Sequence, residues 1–497
     1  MSTSGVVRRR RCGLVGASGL ALSLAATLLA PVAPAAAAPG CAADDVLGTT
    51  GVVRAVGTPG VGPGTVDLRP GAGIPALTLT GTSGSGFGSA LATADVDGDA
   101  CLDLAVGAPL AGGRGSVEVF LGGADGFTRP PVVTLIGRTS GERFGTRVAV
   151  RERAASGVDV WVGAPRRTVD GRTRAGAVDH FVVAADGTSR RVGTITAGGA
   201  TGGVVQASAE FGTVLTASVE GLVVGVPRQD VSGRADAGAA YWFPLSTGSG
   251  LVGRGTAWTQ ASRGVPGSPE KGDHFGAAVS VSSGGSPRWV LVGVPHEDIG
   301  TKKDAGSVQS FTLDARSRSL APATAVDETR ARAGTRATAG NRFGAAVAVA
   351  DGSCLSGGWA VGAPGTDVGS RRDAGSFSLV APPRSSCTST RFTQRSLSQH
   401  DESGDRFGAT LSTLGRTRPE EQTPVSQLLL VGSPGEDSAG GTKDVGSVTS
   451  FWRFEQPDEP GPPVLLPSFQ YFSGSGGDHA RAAYGTVLPD AHPRPVR

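Results

Sequence analysis

A single cassette, met six times, limits what this chain can fold into. Phe-Gly pairs begin at Phe87, Phe144, Phe211, Phe275, Phe343 and Phe407, and each leads through apolar runs to a Gly-x-Pro turn. The turns read AVGAP to Pro109, WVGAP to Pro165, VVGVP to Pro227, LVGVP to Pro295, AVGAP to Pro364 and LVGSP to Pro434. A polar loop and a further run follow each turn: GSVEVF, GAVDHF, DAGAAYWF, DAGSVQSF, DAGSFSLV and DVGSVTSF. Self-similarity at this period marks an array in which each unit buries its apolar faces against its neighbours.

The Phe-Gly spacings are 57, 67, 64, 68 and 64 residues. Such a unit holds about four strands with their turns, since a strand averages about five or six residues. With Gly 79, Pro 32 and no long run at helical spacing, turns outnumber helices. Antiparallel four-stranded units repeated radially make a β-propeller. The chain ends complete the count. Near the start, VVRAVGTP, GTVDLRP and IPALTLTG read as strands two, three and four of a unit that lacks its Phe-Gly half; near the end, Tyr484 and Gly485 in YGTVLPD read as that half. The expectation is therefore an all-β, seven-bladed propeller whose last blade joins one C-terminal strand to three N-terminal strands, which hides both edges. Phe should fill the wedge between blades, the adjacent Gly should admit a close backbone, and Pro should end the second strand.

The FG and VGAP elements at this period resemble the FG-GAP repeat of the integrin α-subunit propeller and of many secreted bacterial proteins. The resemblance covers roughly Val46 to Asp490. It implies a seven-bladed propeller, calcium in some strand-one to strand-two hairpins, and extracellular binding or adhesion as the common role.

One hairpin carries chemistry. In FGSALATADVDGDACLDLAVGAP, residues Asp95, Asp97, Asp99 and Asp103 stand at positions 1, 3, 5 and 9 of a loop between two strands. Alternate carboxylates on one short turn converge oxygens on a cation, and calcium takes about six to eight oxygens at flexible geometry. In the family's calcium hairpin, position 7 adds a carbonyl, here that of Cys101, and Ala100 stands where a second glycine is usual. An EF-hand fails because its twelfth position is Val106 rather than Glu. A solvated turn and a catalytic carboxylate pair are the other readings, but four acids on one exposed turn repel each other and call for a cation. The matching stretch of the second repeat, VRERAASGVDV, lacks the pattern, so one calcium site is expected.

The first residues carry four arginines, Arg8 to Arg11, then an apolar run from Gly13 to Ala30 and small residues to Ala38. This is the pattern of a secretory signal peptide cut between Ala37 and Ala38, with Sec and twin-arginine export both open. The run is too short and too rich in Ala and Gly for a membrane anchor, which needs about 20 strongly apolar residues. Losing it takes the formal charge from +3 to −1. The remaining arginines are scattered among acids, so no nucleic-acid partner is implied. The organisation expected is signal peptide 1–37, N-terminal segment 38–45, propeller 46–490 and tail 491–497. The exported chain, expected to be an extracellular monomer, keeps Cys41, Cys101, Cys354 and Cys387. An even count in an oxidising compartment suggests two disulfides, with Cys41–Cys101 and Cys354–Cys387 favoured because the repeats bring those segments close. Zinc is the rival, but there is no CxxC and no clustered histidine.

Loops before each Phe-Gly and after each Gly-x-Pro should emerge on one face, with the aspartate hairpin on the other. Asp273, Asp304, Arg342, Asp373, Asp405, Arg406 and Asp444 recur there at matched positions and, with His274 and His296 of one repeat, are candidates for a ligand face; the competing reading is that the repeated Asp and Arg residues hold neighbouring loops in register. Lys271-Gly272-Asp273 resembles an adhesive tripeptide, yet its Gly-Asp is the repeat's own loop. Neither a G-x-S-x-G elbow, an H-E-x-x-H pair nor a phosphate-binding G-x-x-x-x-G-K is present in the exported chain. Two functions follow: a calcium-stabilised binding or adhesion module for protein or glycan, or a propeller hydrolase or lyase acting on polysaccharide or ester substrates. In the second case His274 and His296, on loops of one repeat, are the pair to test.

Overall fold

A computed structural model describes residues 54–491, with breaks at 60–61, 70–76, 100, 124–125, 128, 154–156, 200–202, 247–249, 252–253, 283–286, 350–357, 383–387, 416–426, 438–442, 455–463 and 473–489. Its strands form seven blade sheets. Blade 1 holds Ala90–Ala94, Asp103–Ala108, Ser116–Phe120 and Val133–Ile136. Blades 2 to 6 repeat this antiparallel order, opening on Val148–Glu152, Val214–Ala217, Ala278–Val281, Ala346–Val349 and Thr410–Gly415. Blade 7 contains the N-terminal strands Arg54–Thr58, Thr65–Arg69 and Leu77–Thr80, the three read from the sequence.

Burial explains why each unit reads as it does. The second strands, such as Val158–Ala164 and Gly221–Val226, are buried at every residue because blades cover both of their faces, so the sequence is a continuous apolar run. The outer strands Ser189–Ile195 and Ser319–Val326 alternate exposed and covered residues, since only one face meets a neighbour. The core is divided into clusters between blades. Phe87, Phe144, Phe211, Phe275, Phe343 and Phe407 each sit in a different one, at most 1% exposed.

The Phe-Gly pair also stitches blade to blade. Phe211, Phe275, Phe343 and Phe407 donate their backbone N–H to Ala175, Ala237, Ala305 and Ala374 of the preceding blade at 2.9 Å. The next glycine donates back to the Gly-x-Pro glycine of its own blade: Gly145 to Gly163 O and Gly276 to Gly293 O, both at 3.0 Å. A Cβ on Gly107 or Gly163 would lie 2.1 or 2.0 Å from the carbonyl oxygen of Gly145 or Gly212 in the following blade. No side chain fits between the blades there.

The ring closes. Gly64 of blade 7 approaches the Phe87 carbonyl of blade 1 as Gly115, Gly176, Gly238, Gly306 and Gly375 approach the next Phe, with a Cβ meeting that oxygen at 2.0–2.4 Å in all six. Asp490–Ala491 pairs in parallel with Ala92 and Thr93 of blade 1 and also contacts the inner strand of blade 6. The C-terminal strand therefore lies between the inner strands of blades 6 and 1 but is hydrogen-bonded to blade 1, and among the described residues blade 7 is the three-stranded N-terminal sheet without the expected C-terminal partner. Tyr484 and Gly485 lie outside the described residues, as do residues 1–53 with the expected signal peptide and Cys41, the other cysteines Cys354 and Cys387, and the tail 492–497. No helix among the described residues is long and apolar enough to cross a membrane.

Candidate functional site

The strand-one to strand-two hairpin of blade 1 brings Asp95, Asp97 and Asp99 together, with carboxylate oxygens within 4.8 Å of one another. That is the spread of ligands held about 2.3–2.6 Å from one calcium ion. The backbone shapes the cluster: Gly98 N–H donates to Asp95 Oδ1 at 2.7 Å, Asp99 N–H to Asp97 Oδ1 at 3.2 Å and Cys101 N–H to Asp99 Oδ1 at 2.7 Å. Gly98 takes φ 86°, a left-handed turn that a glycine accepts without strain. Burial, with the charges of Asp99 and Asp95, holds the Asp97 carboxyl above its usual range. An all-oxygen donor set of this kind fits a hard cation rather than zinc.

Asp103 lies apart from that triad. It is 1% exposed, and its two carboxylate oxygens accept from Val96 N–H at 2.5 Å and Gly122 N–H at 2.7 Å. Burial pushes its carboxyl up to about 8. Sequence reasoning missed Glu152, on the inner strand of blade 2, whose Oε1 accepts from Asp95 N–H at 3.1 Å. Its only signal was an acid in the neighbouring repeat's shorter hairpin.

At the opposite end of the blades, the loop before each Phe-Gly meets the loop after Gly-x-Pro: Arg166, His296, Gly365 and Gly435 donate N–H to Glu142, Asp273, Asn341 and Asp405 carbonyls. Asp273 and Asp405 are buried, 2% and 0% exposed, and close their own turns by accepting from Glu270 N–H at 2.6 Å and Glu402 N–H at 2.5 Å. Burial raises them to about 6 and about 7. His274, Arg342 and Arg406, each before a Phe, share φ 56°. Asp304, Asp373 and Asp444 share φ 49–53°, and their N–H groups are held by Asp298, Asp367 and Asp437 carboxylates at 2.9, 3.0 and 2.9 Å. These loops are built to one plan. Between the paired aspartates, Val231–Arg234, Ile299–Lys302 and Val368–Arg371 form small bridged turns whose basic tips are exposed.

Two of the expected residues meet in a way their spacing did not reveal. The rings of His274 and His296 stand edge to face with centroids 5.0 Å apart, and His296 Nδ1 lies 2.8 Å from Asp304 Oδ1. Burial, then the neighbouring His296, lowers His274 from its ordinary value. Arg342 reaches Asp373, after the Gly-x-Pro turn of its own repeat, at 3.3 Å.

Residues 87–120 match the family described as FG-GAP repeat. The chain carries an FG-GAP repeat. No curated protein matches it. Among solved structures, the repeat chain is similar to a putative 6-phosphogluconolactonase from Bacteroides uniformis, at 9% identity and TM-score 0.40 over 75% of this chain and 82% of that one. It is also similar to a protein from Lactobacillus plantarum, at 12% identity and TM-score 0.46 over 88% of this chain and 99% of that one.

Proposed function

We propose that this FG-GAP propeller is an exported, calcium-stabilised module that binds an extracellular protein or glycan on the face formed by the Gly-x-Pro loops. The observation that carries the reading is the repeated loop: successive blades raise bridged turns whose exposed tips are Arg234, Lys302, Lys303, Arg371 and Arg372. Loops on a rigid scaffold are where propellers and other repeat folds place recognition. Calcium enters through Asp95, Asp97 and Asp99, with the Cys101 carbonyl as a further oxygen that the family pattern supplies, whereas Asp103, the pattern's last ligand, is held by the Val96 and Gly122 N–H groups; bound there, the ion would neutralise the hairpin. A Cys41–Cys101 disulfide would tie the N-terminal segment to the same hairpin, and Cys354–Cys387 would staple blade 5.

The exported chain, assayed in calcium against arrays of glycans and extracellular proteins and against a panel of polysaccharide and ester substrates, tests this. Saturable binding lost on charge reversal at Lys302, Lys303, Arg371 and Arg372, without turnover, is the expected result. Turnover of a polysaccharide or an ester in place of saturable binding overturns the reading in favour of a hydrolase or lyase.

A further inference from the structure

The geometry points to a divalent transition-metal site at His274 and His296, separate from the aspartate hairpin and on the opposite face of the ring. Two imidazoles that share a tetrahedral ion at about 2.0–2.1 Å per nitrogen have ring centroids about 5 Å apart. His274 and His296 are 5.0 Å apart, at an interplanar angle of 86°. They come from different loops, the turn before Phe275 and the turn after Pro295, so two independent backbone segments are needed to bring them together. His274 is held by its N–H to Asp236 O at 3.2 Å and His296 by its N–H to Asp273 O at 3.4 Å.

The second support is the partner of each ring nitrogen. His296 Nδ1 is taken by Asp304, the carboxylate–histidine arrangement that fixes the tautomer and leaves Nε2 to a metal. Asp304 itself is fixed, since its N–H is held by Asp298 Oδ1 at 2.9 Å. His274 makes no side-chain hydrogen bond among the described residues, so both of its ring nitrogens remain available for a ligand. No other protein donor completes a cluster of three there among the described residues, so water or a ligand fills the two remaining positions, one more than in open zinc sites, which keep three protein ligands. Imidazole nitrogen selects zinc, copper or nickel over calcium, and the aspartate hairpin has the reverse preference. The two sites therefore divide the metals by ligand chemistry.

Calorimetric titration of zinc chloride into the exported chain, with calcium saturating, tests the assignment. One zinc per chain is expected, with His274→Asn and His296→Ala each weakening it at least tenfold. Asn at 274 keeps the left-handed backbone that Asn tolerates. Asp304→Asn is expected to weaken zinc about tenfold or more while leaving the stoichiometry, as outer-shell changes do. Copper and nickel should compete, and added calcium should not. If the double variant binds the same zinc with the same affinity, or if the folded wild type binds none, the assignment is wrong. Failure here leaves the calcium response of the hairpin intact, so the two readings separate.

Discussion

Blades 1 and 2 put a buried aspartate at the same place, four residues before the glycine of Gly-x-Pro, and treat it in opposite ways. Asp103 is met by two backbone N–H groups, and the charges acting on it are those of Asp97 and Asp95. Burial leaves its carboxyl at about 8. Asp159 is as deeply buried, yet Arg151 at 2.5 Å, Arg153 at 2.8 Å and His180 Nε2 at 2.8 Å surround it. His180 also stacks on Trp161, with centroids 4.9 Å apart. Burial would raise Asp159, but the bonds to His180 and Arg151 outweigh it and hold the carboxyl at about 2. A buried carboxyl is either paired with a cation or kept protonated by a raised pKa. Blade 2 encodes its cations in the chain, whereas blade 1 surrounds the same position with more acid, which under the proposed function a calcium ion from solution would offset.

The largest effect should come from breaking the blade that supplies its own charge. Asp159→Ala leaves Arg151 buried without its partner, and such a loss typically costs about 3–5 kcal/mol. Urea unfolding at pH 7 in calcium should show it, and a change below about 1 kcal/mol would mean that blade 2 does not depend on the network.

The second effect belongs to blade 1. Calcium at a hundredfold over its Kd should raise stability by about 2.7 kcal/mol. Asp97→Ala should abolish that rise, and Asp159→Ala should leave it. The two carboxylates also predict opposite pH trends. In metal-free protein Asp103 has a folded value, about 8, above its unfolded one, so its contribution is held at acid pH and lost as pH rises towards 8. Asp159, at about 2, contributes above its unfolded value and loses that contribution as pH falls through about 2. The calcium-dependent gain should therefore grow from pH 5 to pH 8. A gain independent of pH, or one kept by Asp97→Ala, removes blade 1 from the comparison.

The sequence carried the architecture because the propeller repeats its constraints. Close contact between blades admits only glycine at Gly107, Gly163 and their counterparts, and the interblade wedge takes a buried phenylalanine each time, so both letters recur. The three N-terminal strands were legible for the same reason. The aspartate triad was legible because local spacing alone converges Asp95, Asp97 and Asp99. What spacing did not show were contacts between distant segments. Asp273 and Asp405 look like surface residues among charged letters, yet they close buried turns. Glu152 reaches the hairpin from another blade. His274 and His296, 22 residues apart in sequence, meet only because two loops are brought to one edge of a sheet.

A second comparison, at the other end of the blades, predicts the smallest effect. Glu142 of blade 2 accepts from Arg167 Nε at 2.7 Å, and Arg167 in turn grips Asp179 with two bonds at 2.8 and 2.7 Å. These bonds outweigh burial and hold Glu142 below its usual range. In blade 4 the residue two after the proline is Glu297 instead of Arg167, and the acid before Phe is Asp273. Burial, then the charge of Asp273, pushes Glu297 up to about 7, and its hydrogen-bond donor is the neutral side chain of Gln260. Because the folded value lies above the unfolded one, Glu297 loses its favourable contribution as pH rises through 7. Glu297→Gln removes the ionisation and should stabilise the protein by about 1 kcal/mol at pH 8 while changing little at pH 5. The same substitution logic applied to Glu142 should be destabilising at both, since there the charge is paired. Equal responses of Glu142→Gln and Glu297→Gln to pH would show that the arginine in blade 2 does not decide which of these buried acids stays ionised.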